Sequence, residues 1–203
     1  MTKREAILDA ATELFARQGY KGTATSEIAE LADVAQGTVF HHFKSKENLL
    51  VDICDELVMT FIAGIRQAAV GPGTGWDALE RILKFNREFR ERRYDSIAVA
   101  FRETRDLSRA DAEINKHFCD LIGQIIDVKS ECIAKGIADG SIRPVPVRET
   151  ALLIHFIIVG KFHIEMEGLL EMPDLDDELV EFCKRSLLPL DAMENEKIEA
   201  HGG

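Results

Sequence analysis

The stretch Thr23–Lys46, TATSEIAELADVAQGTVFHHFKSK, decides how this chain is read. It divides into two short apolar-patterned segments around Asp33-Val34. In the first, Ile28, Ala29, Leu31 and Ala32 supply a buried side at helical spacing. In the second, about 36–42, Val39 and Phe43 face inward and Gln36, Thr38, His41 and His42 face outward. No carboxylate lies between Asp33 and Glu47, and Lys44 and Lys46 close the segment. A short helix with a polar face free of acids suits a DNA groove better than a protein core. Asp33 fits the turn because aspartate tolerates the left-handed backbone conformation better than most residues, and Val34 plugs the corner.

The flanks follow the same logic. Over 4–18, Ile7, Leu8, Ala11, Leu14 and Phe15 form one apolar stripe, and Gly19 ends that helix. Thr23 is the expected N-cap of the second helix, within a residue. Ser45 is the expected N-cap of a fourth, over about 46–69, with its stripe on Leu49, Leu50, Ile53, Leu57, Phe61 and Ile65. Gly71-Pro72-Gly73-Thr74-Gly75 is the clearest break. Helical stretches follow at about 76–92, 95–106, 110–138, 147–171 and 175–188, and the tail from Met193 reads as frayed.

Composition agrees with an all-α chain. Of 203 residues, 46% are hydrophobic, enough for a sizeable core, and only five are proline. No charge-free apolar run approaches the roughly 18–20 residues of a membrane helix. The N-terminus shows no signal-peptide pattern, so a cytoplasmic location is expected. Net charge is −11. Residues 1–47 hold six basic and seven acidic side chains, net −1, which leaves −10 for residues 48–203. The acidity therefore lies outside the candidate reader. Cys54, Cys119, Cys132 and Cys183 are far apart with no metal-ligand spacing. They read as small buried hydrophobes, a redox sensor being the alternative.

The block EAILDAATELFARQGYKGTATSEIAELADVAQGTVFHHFKSKENLL resembles the N-terminal domain of TetR/AcrR-family transcriptional regulators. The ordered set A-x-x-L-F-x-x-x-G-[YF], T-x-x-E-I-A, V-x-x-G-T-[VL]-[FY]-x-[HY]-F and K-S-K-E-x-L carries the resemblance over about fifty residues. It implies a three-helix helix-turn-helix head (motif about 24–43, domain 1–47) on a helical effector-binding and dimerisation body, 48–203. It implies a homodimer that represses by binding a palindromic double-stranded DNA operator and leaves it when a small molecule binds. No cofactor, metal or membrane is implied. A helical enzyme is a remote alternative, because no nucleophile–base spacing or phosphate loop is present.

Roles in the reader follow from chemistry. Gln36 can hydrogen-bond a base edge, adenine above all. Gly37 allows close backbone approach, and Thr38 can meet a phosphate or a thymine methyl. Phe40 stands where relatives usually carry Tyr, leaving van der Waals contact with sugars, or packing. His41 and His42 face the DNA backbone or bases. Lys46, near the start of the fourth helix, is expected to clamp a phosphate, with Lys44 beside it and Thr25 and Ser26 at the second helix's start. Relatives often have a cation at the Ser26 position and Gly at Asp33. Few basic contacts predict a shallow salt dependence.

In the body the resemblance places an effector pocket among helices from about 76 to 165. Polar residues inside apolar stretches are Arg102, His117, His155, Lys161 and His163, with Phe101, Phe118, Phe156 and Phe162 as aromatic neighbours. Phe101, Arg102, His117, Phe118, His155 and Phe156 are the candidate ligand residues, for an apolar molecule with a polar or anionic end. The run ALLIHFIIVGKFHI, 151–164, is apolar nearly all round and must be covered on several sides. With Leu179 and Phe182, its residues Phe156, Val159, Phe162 and His163 would form half of a dimer seam, or else 151–164 is a buried core helix in a monomer.

Overall fold

A computed structural model describes residues 2–171 and 173–190 and, within them, the side chains outside 104–110. The tail from Met193 lies outside these. Among the described residues the chain is all-helical, with no strand: α1 (Lys3–Gln18), α2 (Thr25–Leu31), α3 (Gln36–Phe43), α4 (Lys46–Ala69), α5 (Gly75–Arg92), α6 (Tyr94–Ala110), α7 (Ala112–Asp139), α8 (Val147–Glu167) and α9 (Asp176–Leu187). The chain forms two compact units. One holds Met1–Phe61 and Arg90–Leu121, the other Ile62–Phe89 and Ile122–Gly203. The division passes through the uninterrupted helix α4.

In the first unit α1 starts with a reciprocal cap. Thr2 Oγ1 accepts from the Glu5 amide at 3.2 Å, and Glu5 Oε2 accepts from the Thr2 amide at 2.7 Å. The whole expected stripe of α1 is buried, and α1 packs on α2 and α6. Each such large side chain contributes roughly 1.5–3 kcal/mol by leaving water. Ile28 and Ala29 of α2 and Val39 and Phe43 of α3 are buried on this face. Leu31 corrects the expectation for α2, since it is 47% exposed. A helix of two turns presents one narrow stripe inward, and Leu31 falls outside it.

The cap of α2 also differs. Ala24 holds the N-cap position, while the buried Thr23 hydroxyl donates to the Gly19 carbonyl at 2.8 Å. Alanine has no side-chain acceptor, so only half of a capping box exists: Glu27 Oε2 accepts from the Ala24 amide at 2.7 Å. This bond, with a second from Gln18, holds the Glu27 carboxyl below the usual carboxylate range. At the other end of α2, Val34 N–H donates to Ala29 O and Asp33 N–H to Glu30 O. That pair of bonds is a Schellman motif, and Asp33 supplies its left-handed residue at φ 52°.

The second unit is built on close helix crossings. A Cβ on Gly75 would lie 2.0 Å from the Gly136 amide nitrogen, so α5 and α7 touch backbone to backbone. A Cβ on Gly64 would enter the Phe85 ring, which brings α4 against α5. The core holds Ile65, Leu79, Ile82, Ile133, Ile154, Phe162 and Leu187. On α8, Lys161 is buried but paired, with Asp176 at 2.7 Å and Glu165 at 3.2 Å. α8 ends at Glu167 on the left-handed Gly168, earlier than expected.

Candidate nucleic-acid interface

α3 presents the expected outward set. Gln36, Gly37, Phe40, His41, His42 and Lys44 are exposed and Thr38 is half-buried, while Val39 and Phe43 anchor the helix from below. Gln36 Nε2 donates to Thr25 Oγ1 at 3.4 Å, which joins the starts of α3 and α2. The candidate base reader and a candidate phosphate contact are thus neighbours, with Ser26 exposed beside them. His41 and His42 meet edge to face, their rings 5.4 Å apart. Phe40 is 44% exposed, so packing does not account for it. An apolar ring standing among polar groups on one short helix suits contact with sugar carbons.

Lys46 is where the geometry departs from expectation. Its ammonium donates to the Tyr20 carbonyl at 2.8 Å and to the Thr23 carbonyl at 2.9 Å. It also lies 4.4 Å from the centre of the Tyr20 ring. An ammonium has three donors, and two are spent inside the head. Lys46 is therefore a staple between α4 and the loop that follows α1, rather than a phosphate clamp. Ser45 caps the start of α4, as its position predicts: its Oγ accepts from the Asn48 backbone amide at 3.1 Å.

The expected ligand residues separate. Phe101, Arg102, His117 and Phe118 belong to the first unit, His155 and Phe156 to the second. Arg102 is exposed, and Phe156 is 60% exposed. His117 Nε2 lies within hydrogen-bond distance, 2.7 Å, of Asp55 Oδ1 on α4. A cleft of about 420 Å³ in the first unit is walled by Leu8, Thr12, Ile53, Leu57, Arg92 and Tyr94 among others. One of about 400 Å³ in the second is walled by Arg66, Val70, Gln124 and Val128 among others. None of the six expected residues lines either cleft.

Of the expected seam, Phe156 and Phe182 are exposed and Val159 and Leu179 half-buried, with Leu153 and Ile157 adding exposed apolar surface on α8. His163 is exposed as well. Phe162 corrects the expectation, because it is buried in its own unit's core. Sequence reasoning passed over Lys129, which has no exposed surface at all. The signal was available: it stands four residues from Ile125 and from Ile133, both buried, on the core stripe of α7.

Cys54, Cys132 and Cys183 are buried, and burial pushes all three thiols up, Cys54 to about 12 and Cys183 to about 11. Cys119 alone is exposed. Among the described residues no helix is long and apolar enough to cross a membrane, and no group of three or more His, Cys, Asp or Glu could hold a metal ion.

Known proteins resemble this chain in sequence and in fold. The family described as bacterial regulatory proteins, tetR family, matches residues 7–53. The HTH-type transcriptional regulator YhgD of Bacillus subtilis is 30% identical over 189 residues, 88% of this chain and 90% of its own. A tetR-family regulatory protein from Rhodococcus RHA1 superposes with a TM-score of 0.75 at 24% identity, over 93% of this chain and 100% of that one. AibR, solved in complex with isovaleryl coenzyme A and operator DNA, superposes with a TM-score of 0.66 at 21% identity, over 90% of this chain and 96% of that one.

Proposed function

Because the chain belongs to the tetR family of bacterial regulatory proteins, DNA-binding transcriptional regulators rather than enzymes, we propose that it is a repressor released from a palindromic operator by a small molecule. The family's members bind operator DNA and small-molecule effectors and form dimers. In this reading residues 1–47 read DNA and residues 48–203 bind the effector and the second copy. The observation that carries it is the exposed, acid-free face of α3, with Gln36 braced on Thr25.

Gln36 and Phe40 meet base edges and sugars, with Gly37 permitting close approach. Thr25, Ser26, Thr38, His41, His42 and Lys44 meet the phosphate backbone or neighbouring bases. The exposed apolar residues of α8 and α9, Phe156 and Phe182 with Leu153 and Ile157, face the second copy. Val159 and Leu179 flank them. The protein acts in the cytoplasm, where its operator is.

Release works by population shift. The effector favours an arrangement of the second unit that moves α4, and α4 runs without interruption into the first unit. The effector acts only through its differential affinity for that state. A cysteine-based redox signal finds less support. Three of the four thiols are buried with raised pKa values, which keeps them out of the reactive thiolate form.

Selection of bound sequences from random DNA tests the proposal. Two inverted half-sites are expected, centred near 34–36 Å or a multiple apart. A single unrepeated site, or no enrichment, contradicts it.

A further inference from the structure

Lys129 occupies a core position of α7, one turn from Ile125 on one side and Ile133 on the other. An apolar side chain fits that register, yet a lysine stands there with 0% exposure. Among the described residues its ammonium has one polar contact, His155 Nδ1 on α8 at 3.4 Å. Lys161 in the same unit shows what a compensated buried lysine looks like, held by two carboxylates. Among the described residues Lys129 has no carboxylate partner.

The electrostatics fit this reading. Burial lowers the Lys129 amine to about 8, which still leaves it mostly protonated at neutral pH. Burial, and then the neighbouring Lys129 charge, lower His155 to about 4, so the imidazole is neutral. The nearby Cys183 thiol, at about 11, is neutral too. Among the described residues the buried cation thus faces neutral groups, an arrangement that costs free energy until an anion arrives.

We propose that Lys129, with His155 beside it, anchors the carboxylate of an apolar acid that binds among α7, α8 and α9. The proposal rests on the reading of the second unit as effector-binding and adds the chemical class of the effector. The carboxylate accepts a charge-assisted hydrogen bond from Lys129 Nζ. When Lys129 donates to Nδ1, the neutral His155 carries its proton on Nε2, which makes a second donor. Buried Ile125, Ile133, Ala151 and Ile154 on the same helices favour an alkyl or aryl body. The charge also supplies the differential affinity that a switch needs. An arrangement of the helices that admits an anion relieves the unpaired ammonium, and a neutral molecule of the same shape gains nothing from it.

The test uses the full chain with decanoate, decan-1-ol and decylamine, read by calorimetry. Decanoate is expected to bind at least tenfold more tightly than decan-1-ol, and decylamine not at all. Lys129→Met should bring decanoate down to the affinity of decan-1-ol while raising the melting temperature of the unliganded protein. His155→Gln should weaken decanoate several-fold and leave Lys129 in place. Absent decanoate binding, equal binding of acid and alcohol, or unchanged decanoate affinity in Lys129→Met overturns the proposal. A DNA-release assay separates it from the reading beneath it. Decanoate that binds through Lys129 without releasing DNA sinks the effector reading and leaves the site standing. Release by decan-1-ol as well as by decanoate does the reverse.

Discussion

Lys46 and Tyr20 are joined twice. The Lys46 ammonium donates to the Tyr20 carbonyl at 2.8 Å and lies 4.4 Å from the centre of the Tyr20 ring. With the bond to Thr23 O, these contacts tie the first turn of α4 to the loop between α1 and α2. Lys46→Ala removes two charge-assisted hydrogen bonds and a cation–π contact, a loss of about 2–4 kcal/mol in stability. Denaturant melts should show it. The salt dependence of DNA binding discriminates between staple and clamp: losing a phosphate contact would flatten the slope by about 0.9. The slope is expected to stay unchanged in Lys46→Ala even as overall affinity falls.

Asp33 is held at φ 52° as the left-handed residue of the Schellman motif that ends α2. Asp33→Gly should therefore keep or slightly raise stability, and Asp33→Val should lose roughly 1–2 kcal/mol. Urea denaturation of the pair checks this. Asp33→Gly also deletes an exposed negative charge near the reader, so affinity for unrelated DNA should rise modestly.

Periodicity made most of this fold legible. The stripe Ile7, Leu8, Ala11, Leu14 and Phe15 is buried as its spacing requires, and α4 spans the range expected from its pattern. What failed were matters of direction. Whether Leu31 points in or out, and whether the Lys46 ammonium turns to a carbonyl or to solvent, depends on side-chain geometry that spacing does not encode. Lys129 was passed over because a lone lysine in a long amphipathic helix reads as surface until its neighbours at four-residue spacing are counted. The outward face of α3 was legible because one short helix settles it locally. That Phe101, Arg102, His117 and Phe118 fall in one unit and His155 and Phe156 in the other was not legible, because the grouping depends on helices far apart in sequence.

The α5–α7 crossing depends on two glycines. Gly75→Ala would put a Cβ 2.0 Å from the Gly136 nitrogen and 2.3 Å from its Cα. Backbone must move to admit it, at a cost of about 1–3 kcal/mol. Gly123→Ala in α7 meets nothing within 4 Å and should gain up to about 1 kcal/mol through helix propensity. Thermal melts of the two variants should move in opposite directions.

Lys129 links stability to pH. Its folded value of about 8 lies below the ordinary 10.5. Between these values the unfolded chain holds the proton and the folded chain does not, so stability rises with pH across that window. Below about 8 the cost of the buried charge is fully present, on the order of 3 kcal/mol for a group so completely buried. Lys129→Met should therefore melt above the wild type at pH 7, and the difference should shrink as pH rises from 8 towards 10.5. A difference independent of pH contradicts this linkage.

The central claim is that the face of α3 reads DNA sequence through Gln36. Fluorescence anisotropy of wild type and Gln36→Ala, on the selected operator and on a scrambled duplex, tests it most directly. Losing a bidentate base contact worth about 1–3 kcal/mol should weaken operator binding by about tenfold or more, with affinity for the scrambled duplex unchanged. Equal operator affinity in the two proteins would contradict the account.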